Sequence, residues 1–197
     1  EKEVVRLGED EFKHDRLQPE AMARALEVCK RFPELARAIG AEEIVAVATS
    51  AAREAINQED FLRMLRDEAG LDVRVISGKE EARLIYLGMA SGLSLEGRKA
   101  LFIDIGGGST EIAIGDETQY TYLDSLKLGA ISLTTIFMPE DHAGMIPARM
   151  YNSIRKEIRR RIRRSADRVR EEGVEIAVGG SGTIKNLAEI ALRMSED

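Results

Sequence analysis

The sequence contains no tryptophan, one cysteine (Cys29), two histidines (His14 and His142) and four prolines among 197 residues. A single cysteine excludes a disulfide framework within the chain and fits a reducing compartment, so a cytoplasmic setting is expected. With two histidines, zinc chemistry is a poor expectation. No apolar run approaches the ~20 residues that a membrane-spanning helix needs, and no long apolar stretch of the secretory kind follows the Glu1-Lys2-Glu3 opening. Pro-rich linkers, low-complexity stretches and internal repeats are absent too. What is there is an ordinary globular composition, 44% hydrophobic and 32% charged, enough for one or two domains. A net charge of −6 argues against a general nucleic-acid binder but is compatible with a local basic groove for a polyanion. The chain starts at Glu1 without an initiator Met, runs at once into Val4, Val5 and Leu7, and stops at Asp197 just past a helical pattern. It therefore reads as a piece of a longer protein.

The pattern of the first half alternates. Residues 3–7 read as a short strand, and 18–39 as one helix with Pro19 in its first turn and Gly40 as its stop. The continuous apolar run 43–49 suits a strand covered on both faces. A helix over 58–69, a strand over 72–76 and a helix over 79–91 follow. Strand–helix alternation of this kind signals right-handed crossovers and a mostly parallel sheet. The second half opens differently. Strands at 99–105, 110–115 and 119–126, joined by short turns, make an antiparallel meander. A long helix over about 146–171 carries Ile146, Met150, Ile154, Ile158 and Ile162 on one stripe. A strand at 174–178, a loop at Gly179–Thr183 and a helix at 184–194 complete the pattern. The switch falls near Gly92–Gly97, which suggests an α/β protein of two domains, 1–95 and 96–197.

The sharpest chemical signal is Asp104-Ile105-Gly106-Gly107-Gly108-Ser109-Thr110-Glu111. Three glycines remove Cβ atoms and let backbone N–H groups converge on an anion. Ser109 and Thr110 add hydroxyl donors. Asp104 and Glu111 flank the turn, and carboxylates beside a phosphate call for a cation such as Mg²⁺ between them. A plain hairpin turn would need fewer glycines and no flanking acids. The dinucleotide fingerprint and the Walker loop are both absent, since Glu111 stands where the former wants Gly or Ala and Glu80 where the latter wants Ser or Thr. Gly179-Gly180-Ser181-Gly182-Thr183 is a second glycine loop, at a strand-to-helix junction whose dipole favours an anion. In Ser77–Arg83 the acids Glu80 and Glu81 sit in a first helical turn, where they either cap it or supply a general base. Arg53, in Ala48–Glu54 at the end of a strand, could grip a phosphate or simply pair with Glu54. Between Arg155 and Arg170, nine Lys and Arg face two acids. A solvated helix face is the plain reading, and a rail for a polyanion, marked by strong salt dependence, is the other.

Together and in this order, these segments resemble the exopolyphosphatase/guanosine pentaphosphate phosphohydrolase family of the actin and sugar-kinase superfamily. The matching stretches are Val47–Ala55, Val75–Gly88, Phe102–Ile112, Ser125–Phe137 and Val178–Ala188, nearly the whole chain. The resemblance implies two ribonuclease-H-like domains with the site in the cleft between them. It implies Glu81 as the base that activates water, Asp104 as an acid associated with Mg²⁺ through water, and Glu111 as a second catalytic or metal-associated acid. Gly106, Gly107, Gly108, Ser109 and Thr110 would form a phosphate loop, Arg53 a phosphate contact, and Gly180, Ser181, Gly182 and Thr183 the other cleft loop. Family members begin earlier, with a strand hairpin bearing an Asp-x-Gly-Ser-Asn-Ser loop, and nothing like it precedes Val4. Many also extend into further helical domains. The expectation is thus a core with both domains incomplete, weakly active or inactive alone. Its exposed sheet edges would invite another chain, a homodimer included. The implied activity is Mg²⁺-dependent removal of the terminal phosphate of inorganic polyphosphate. The alternatives are guanosine pentaphosphate hydrolysis, a kinase or ATPase of the same superfamily, and a non-catalytic phosphate or nucleotide sensor. No membrane and no specific nucleic-acid partner is expected.

Overall fold

The structure, a computed structural model, describes residues 3–8, 14–138 and 144–195; His142 lies outside them. The chain divides into two compact units, Glu1–Ser77 and Gly78–Asp197. Among the described residues, no helix is long and apolar enough to cross a membrane.

The first unit holds helices α1 (Pro19–Cys29), α2 (Phe32–Ala38), α3 (Ser50–Glu54) and α4 (Gln58–Ala69) with strands β1 (Ala46–Ala48) and β2 (Val73–Val75). The two strands pair in parallel, Ala46 opposite Val73 and Ala48 opposite Val75, as strand–helix alternation anticipates. Leu17, Leu26, Phe61 and Leu65 form its core, each worth about 1.5–3 kcal/mol of burial. Buried Asn57 ties the chain entry down, accepting from Leu17 N (2.9 Å) and donating to Leu17 O (3.0 Å).

Three expectations fail in this unit. Residues 3–7 form no strand, because no described segment offers them a ladder; Val5 and Leu7 pack on the core instead. The single helix over 18–39 is two helices, broken at Lys30 and Arg31. Pro33 has no N–H to give, and its ring collides with the carbonyl four residues back, at Cys29. Gly40 does stop the second helix, at φ +73°. The apolar run 43–49 shrinks to three paired residues, and Val45 and Val47 are 77% and 44% exposed, so the strand is not covered on both faces.

The second unit is built on one four-stranded sheet in the order β5-β4-β3-β6. Strands β3 (Ala100–Ile105), β4 (Thr110–Gly115) and β5 (Tyr120–Leu126) form the antiparallel meander, and β6 (Ile176–Gly180) joins β3 in parallel. Helix α5 (Gly78–Ala90) opens the unit. The division therefore falls before α5 rather than near residue 95, because this helix packs on the second sheet. Tyr86 meets Phe102 edge-on (5.2 Å between ring centroids) and Tyr120 likewise (5.6 Å), while its hydroxyl donates to Asp116 O at 2.7 Å. Offset aromatic pairs of this kind add about 0.5–1.5 kcal/mol beyond burial.

The other sheet face meets α6 (Ala130–Phe137) and α7 (Ala148–Glu171). Ile158 and Ile162 of the apolar stripe line a cavity of about 470 Å³ there, opposite Leu101, Ile103 and Ile112. The expected loop at Gly179–Thr183 does not exist. Strand β6 runs to Gly180 and α8 (Ser181–Ser195) starts at the next residue, with Ser181 taking the sharp turn at φ +64°.

Candidate phosphate-binding site

The Gly106–Ser109 turn is held from outside by α6. Ala130 N donates to Gly106 O (3.0 Å), Ile131 N and Ser132 N to Gly107 O (2.9 and 3.0 Å), and Gly129 N to Gly108 O (3.1 Å). The Ser132 hydroxyl also reaches Gly108 O (3.2 Å), and Thr110 Oγ1 donates to Leu128 O. The turn's carbonyls are thus absorbed by the start of a helix. Within the turn, Gly106 N donates to Ser109 O at 2.9 Å. The N–H groups of Gly107, Gly108 and Ser109 reach no acceptor among the described residues. Successive amides in a glycine turn are the kind of backbone that can form an anion-binding concavity.

Gly129 makes this possible and was not visible as a site residue in the sequence. A Cβ there would fall against Gly107 O and Gly108 N, closer than any real Cβ contact. The close approach joins residues over twenty positions apart, and only its place in the Ser125–Phe137 stretch gave any sign of it.

Acids gather on the sheet face that α5 covers. Asp104 is in register with Glu111 on β4 and with Gly180 on β6, so the carboxylates of Asp104 and Glu111 leave the same face. Glu111 is only 3% exposed. Burial pushes its carboxyl above the ordinary range; the Ser109 and Ser125 hydroxyls pull it back, and the charges of Glu81 and Asp104 push it further up. Ser125 Oγ donates to Glu111 Oε1 at 2.8 Å. The two candidate glutamates of α5 are now distinct. Glu80 is engaged by Arg83 through two hydrogen bonds of 2.9 Å, whereas the charge of Glu81 is felt at Glu111.

The second glycine pair approaches the same acids. Gly180 lies so near Asp104 that a Cβ there would stand 3.7 Å from its Oδ2, and the end of Met89 occupies the remaining space. Ser181 Oγ donates to Ile105 O at 3.0 Å. Gly182 and Thr183 are in the first turn of α8. Arg53 belongs to the first unit, where Nη1 donates to Ile76 O (3.1 Å) and Nε to Glu54 Oε1 (3.4 Å). Among the described residues, no three His, Cys, Asp or Glu side chains could hold a metal on their own. Asp104 and Glu111 fit Mg²⁺ only in its usual mode, with one or two carboxylates and the remaining sites filled by water and phosphate oxygens.

A glycine turn thus lies beside paired acids on an α/β scaffold. Residues 1–196 match the Ppx/GppA phosphatase family, and the chain belongs to that family. Its fold is close to that of an exopolyphosphatase from Cytophaga hutchinsonii, with 27% identity and a TM-score of 0.91 over 100% of this chain and 62% of that one. A Ppx/GppA family member from Aquifex aeolicus is 30% identical over 96% of this chain and 59% of its own, with a TM-score of 0.65. The chain thus spans about three-fifths of the length of these structures.

Proposed function

We propose that the protein takes part in hydrolysis of the terminal phosphoanhydride of inorganic polyphosphate. The observation that carries this reading is the trio of unengaged amides at Gly107, Gly108 and Ser109 beside Asp104, Glu111 and Glu81. The cradle would hold the end phosphate through its backbone amides; the hydroxyls expected to help are engaged elsewhere, Ser109 with Glu111 and Thr110 with Leu128 O. Glu81, on a helix fixed by Tyr86, would orient and deprotonate the attacking water. Gly180, Ser181, Gly182 and Thr183 would bring a helix N-terminus toward the same anion. Asp104 and Glu111 would hold Mg²⁺, which supplies charge neutralisation of the leaving phosphate. Likeness to an exopolyphosphatase supports polyphosphate as the substrate; guanosine pentaphosphate presents the same terminal group. The experiment is phosphate release from long-chain polyphosphate with Mg²⁺, comparing wild type with Glu81→Gln. A loss of about 10²–10⁴-fold is expected, as for removal of a general base, with polyphosphate binding retained. Equal release by both proteins, well above the uncatalysed background, would remove Glu81 from the chemistry.

A further inference from the structure

Under α5, the residues of the second sheet come in rows across the strands. One row is apolar. Leu123 on β5, Ala113 on β4, Phe102 on β3 and Val178 on β6 stand opposite one another in register, and they pack in one core cluster with Tyr86. Two residues further along the strands, the row reads Ser125, Glu111, Asp104 and Gly180. Side chains two apart on a strand share a face, so this row points the same way as the core. The proposed chemistry uses Asp104 and Glu111 and leaves Ser125 without a role.

The Ser125 hydroxyl has one proton to give, and it goes to Glu111 Oε1 at 2.8 Å. Glu111 is 3% exposed, so water hardly competes for that oxygen. The Ser109 hydroxyl, from the glycine turn, engages the same carboxylate. Glu111 is thus gripped from two sides, by the turn that opens its own strand and by the strand next to it. Glutamate has several side-chain rotamers, and a donor fixed in the ladder opposite it selects among them. Mg²⁺ demands near-ideal octahedral geometry, and carboxylates that hold a metal are themselves hydrogen-bonded from behind. Satisfying a buried acceptor is one service of the Ser125 hydroxyl. Orienting that acceptor is another, and the two come apart in measurement.

We propose that Ser125 is a positioning residue, whose hydroxyl holds the Glu111 carboxylate in the one orientation beside Asp104 that serves a metal ion. The inference rests on the reading above in which Asp104 and Glu111 hold Mg²⁺, and it adds what holds Glu111. Ser125 itself acts only through Glu111.

The test titrates the full chain with Mn²⁺, a paramagnetic stand-in for Mg²⁺ read by electron paramagnetic resonance, in wild type, Ser125→Ala and Ser125→Thr, with thermal unfolding of each recorded alongside. Wild type should bind the ion, and Asp104→Asn should weaken that binding, which locates the site. Ser125→Ala should bind about 10–100-fold more weakly, the usual loss when a group behind a metal ligand is removed. Ser125→Thr keeps the hydroxyl and suits a strand, and should come within about threefold of wild type. A serine that only satisfies a buried oxygen would lower the melting temperature of the Ala variant and leave its Mn²⁺ affinity within about threefold; that result overturns the proposal. So does a Thr variant as weak as Ala, because the hydroxyl would then not be the cause. Should the Ala variant fail to fold, Ser125→Cys, of similar size and a poorer donor, takes its place, with the same loss expected and the same overturning result. Wild type that binds no Mn²⁺, or whose binding ignores Asp104→Asn, defeats the Mg²⁺ reading itself and the role of Ser125 with it.

Discussion

Asp104 and Glu111 face each other across the β3–β4 ladder, one on each side of the glycine turn. Antiparallel register sends both side chains to the face that α5 covers, and the turn between them contributes amides to the same end of the sheet. In the proposed site, acids and amides thereby stand on one hairpin.

The turn depends on a close approach that cannot give. Gly129→Ala would drive a Cβ into the Gly107 carbonyl and the Gly108 nitrogen. We expect a loss of about 1–3 kcal/mol, typical of overpacking, together with weaker polyphosphate binding. Gly180→Ala is crowded by the flexible end of Met89, with Asp104 Oδ2 at ordinary contact distance, so its stability should stay within about 1 kcal/mol of wild type. Chemical denaturation of the two variants decides this, and equal destabilisation would show that α6 is not what shapes the turn.

Glu111 gives the fold a pH dependence of definite sign. Its carboxyl is raised in the folded state by burial, so the folded protein holds this proton more tightly than the unfolded chain does. The Glu111 contribution to stability is full below the ordinary glutamate value of 4.5 and is lost as pH rises through the raised one. Glu111→Gln keeps an acceptor for Ser125 and removes the charge. It should be more stable than wild type at neutral pH, with the advantage vanishing at low pH. Melting curves across pH measure this; a Gln variant less stable at neutral pH would mean that the charge is compensated by a partner.

Glu80 and Glu81 should separate cleanly. Glu80 is engaged in a partly exposed pair with Arg83, worth no more than about 1 kcal/mol. Glu80→Gln should leave turnover within about threefold of wild type, against the loss of about 10²–10⁴-fold expected of a general base. Steady-state phosphate release for the two variants distinguishes them, and equal losses would mean that the first turn of α5 matters as a unit.

Much of this was legible in the sequence, for local reasons. The meander, the turn and the acids at its ends follow from alternation and three adjacent glycines, which need no distant partner to be interpreted. The role of Gly129 lies in its approach to Gly107 across more than twenty residues, and no local pattern encodes it. The family resemblance already favoured Glu81 over Glu80, which the residue pattern alone left open; that Arg83 turns back on Glu80 is visible only in the structure. The break between α1 and α2 was written in Pro33, but apolar residues at helical spacing on both sides concealed it. The run at 43–49 looked like a doubly covered strand because apolar composition alone does not reveal what covers it.

The most direct measurement is an amide titration by nuclear magnetic resonance, adding tripolyphosphate to the isotope-labelled chain. The N–H signals of Gly107, Gly108 and Ser109 should shift first and furthest, at low salt and with Mg²⁺ present. Shifts confined to α7 or to the first unit, with these three amides unmoved, would contradict the glycine turn as the seat of phosphate binding.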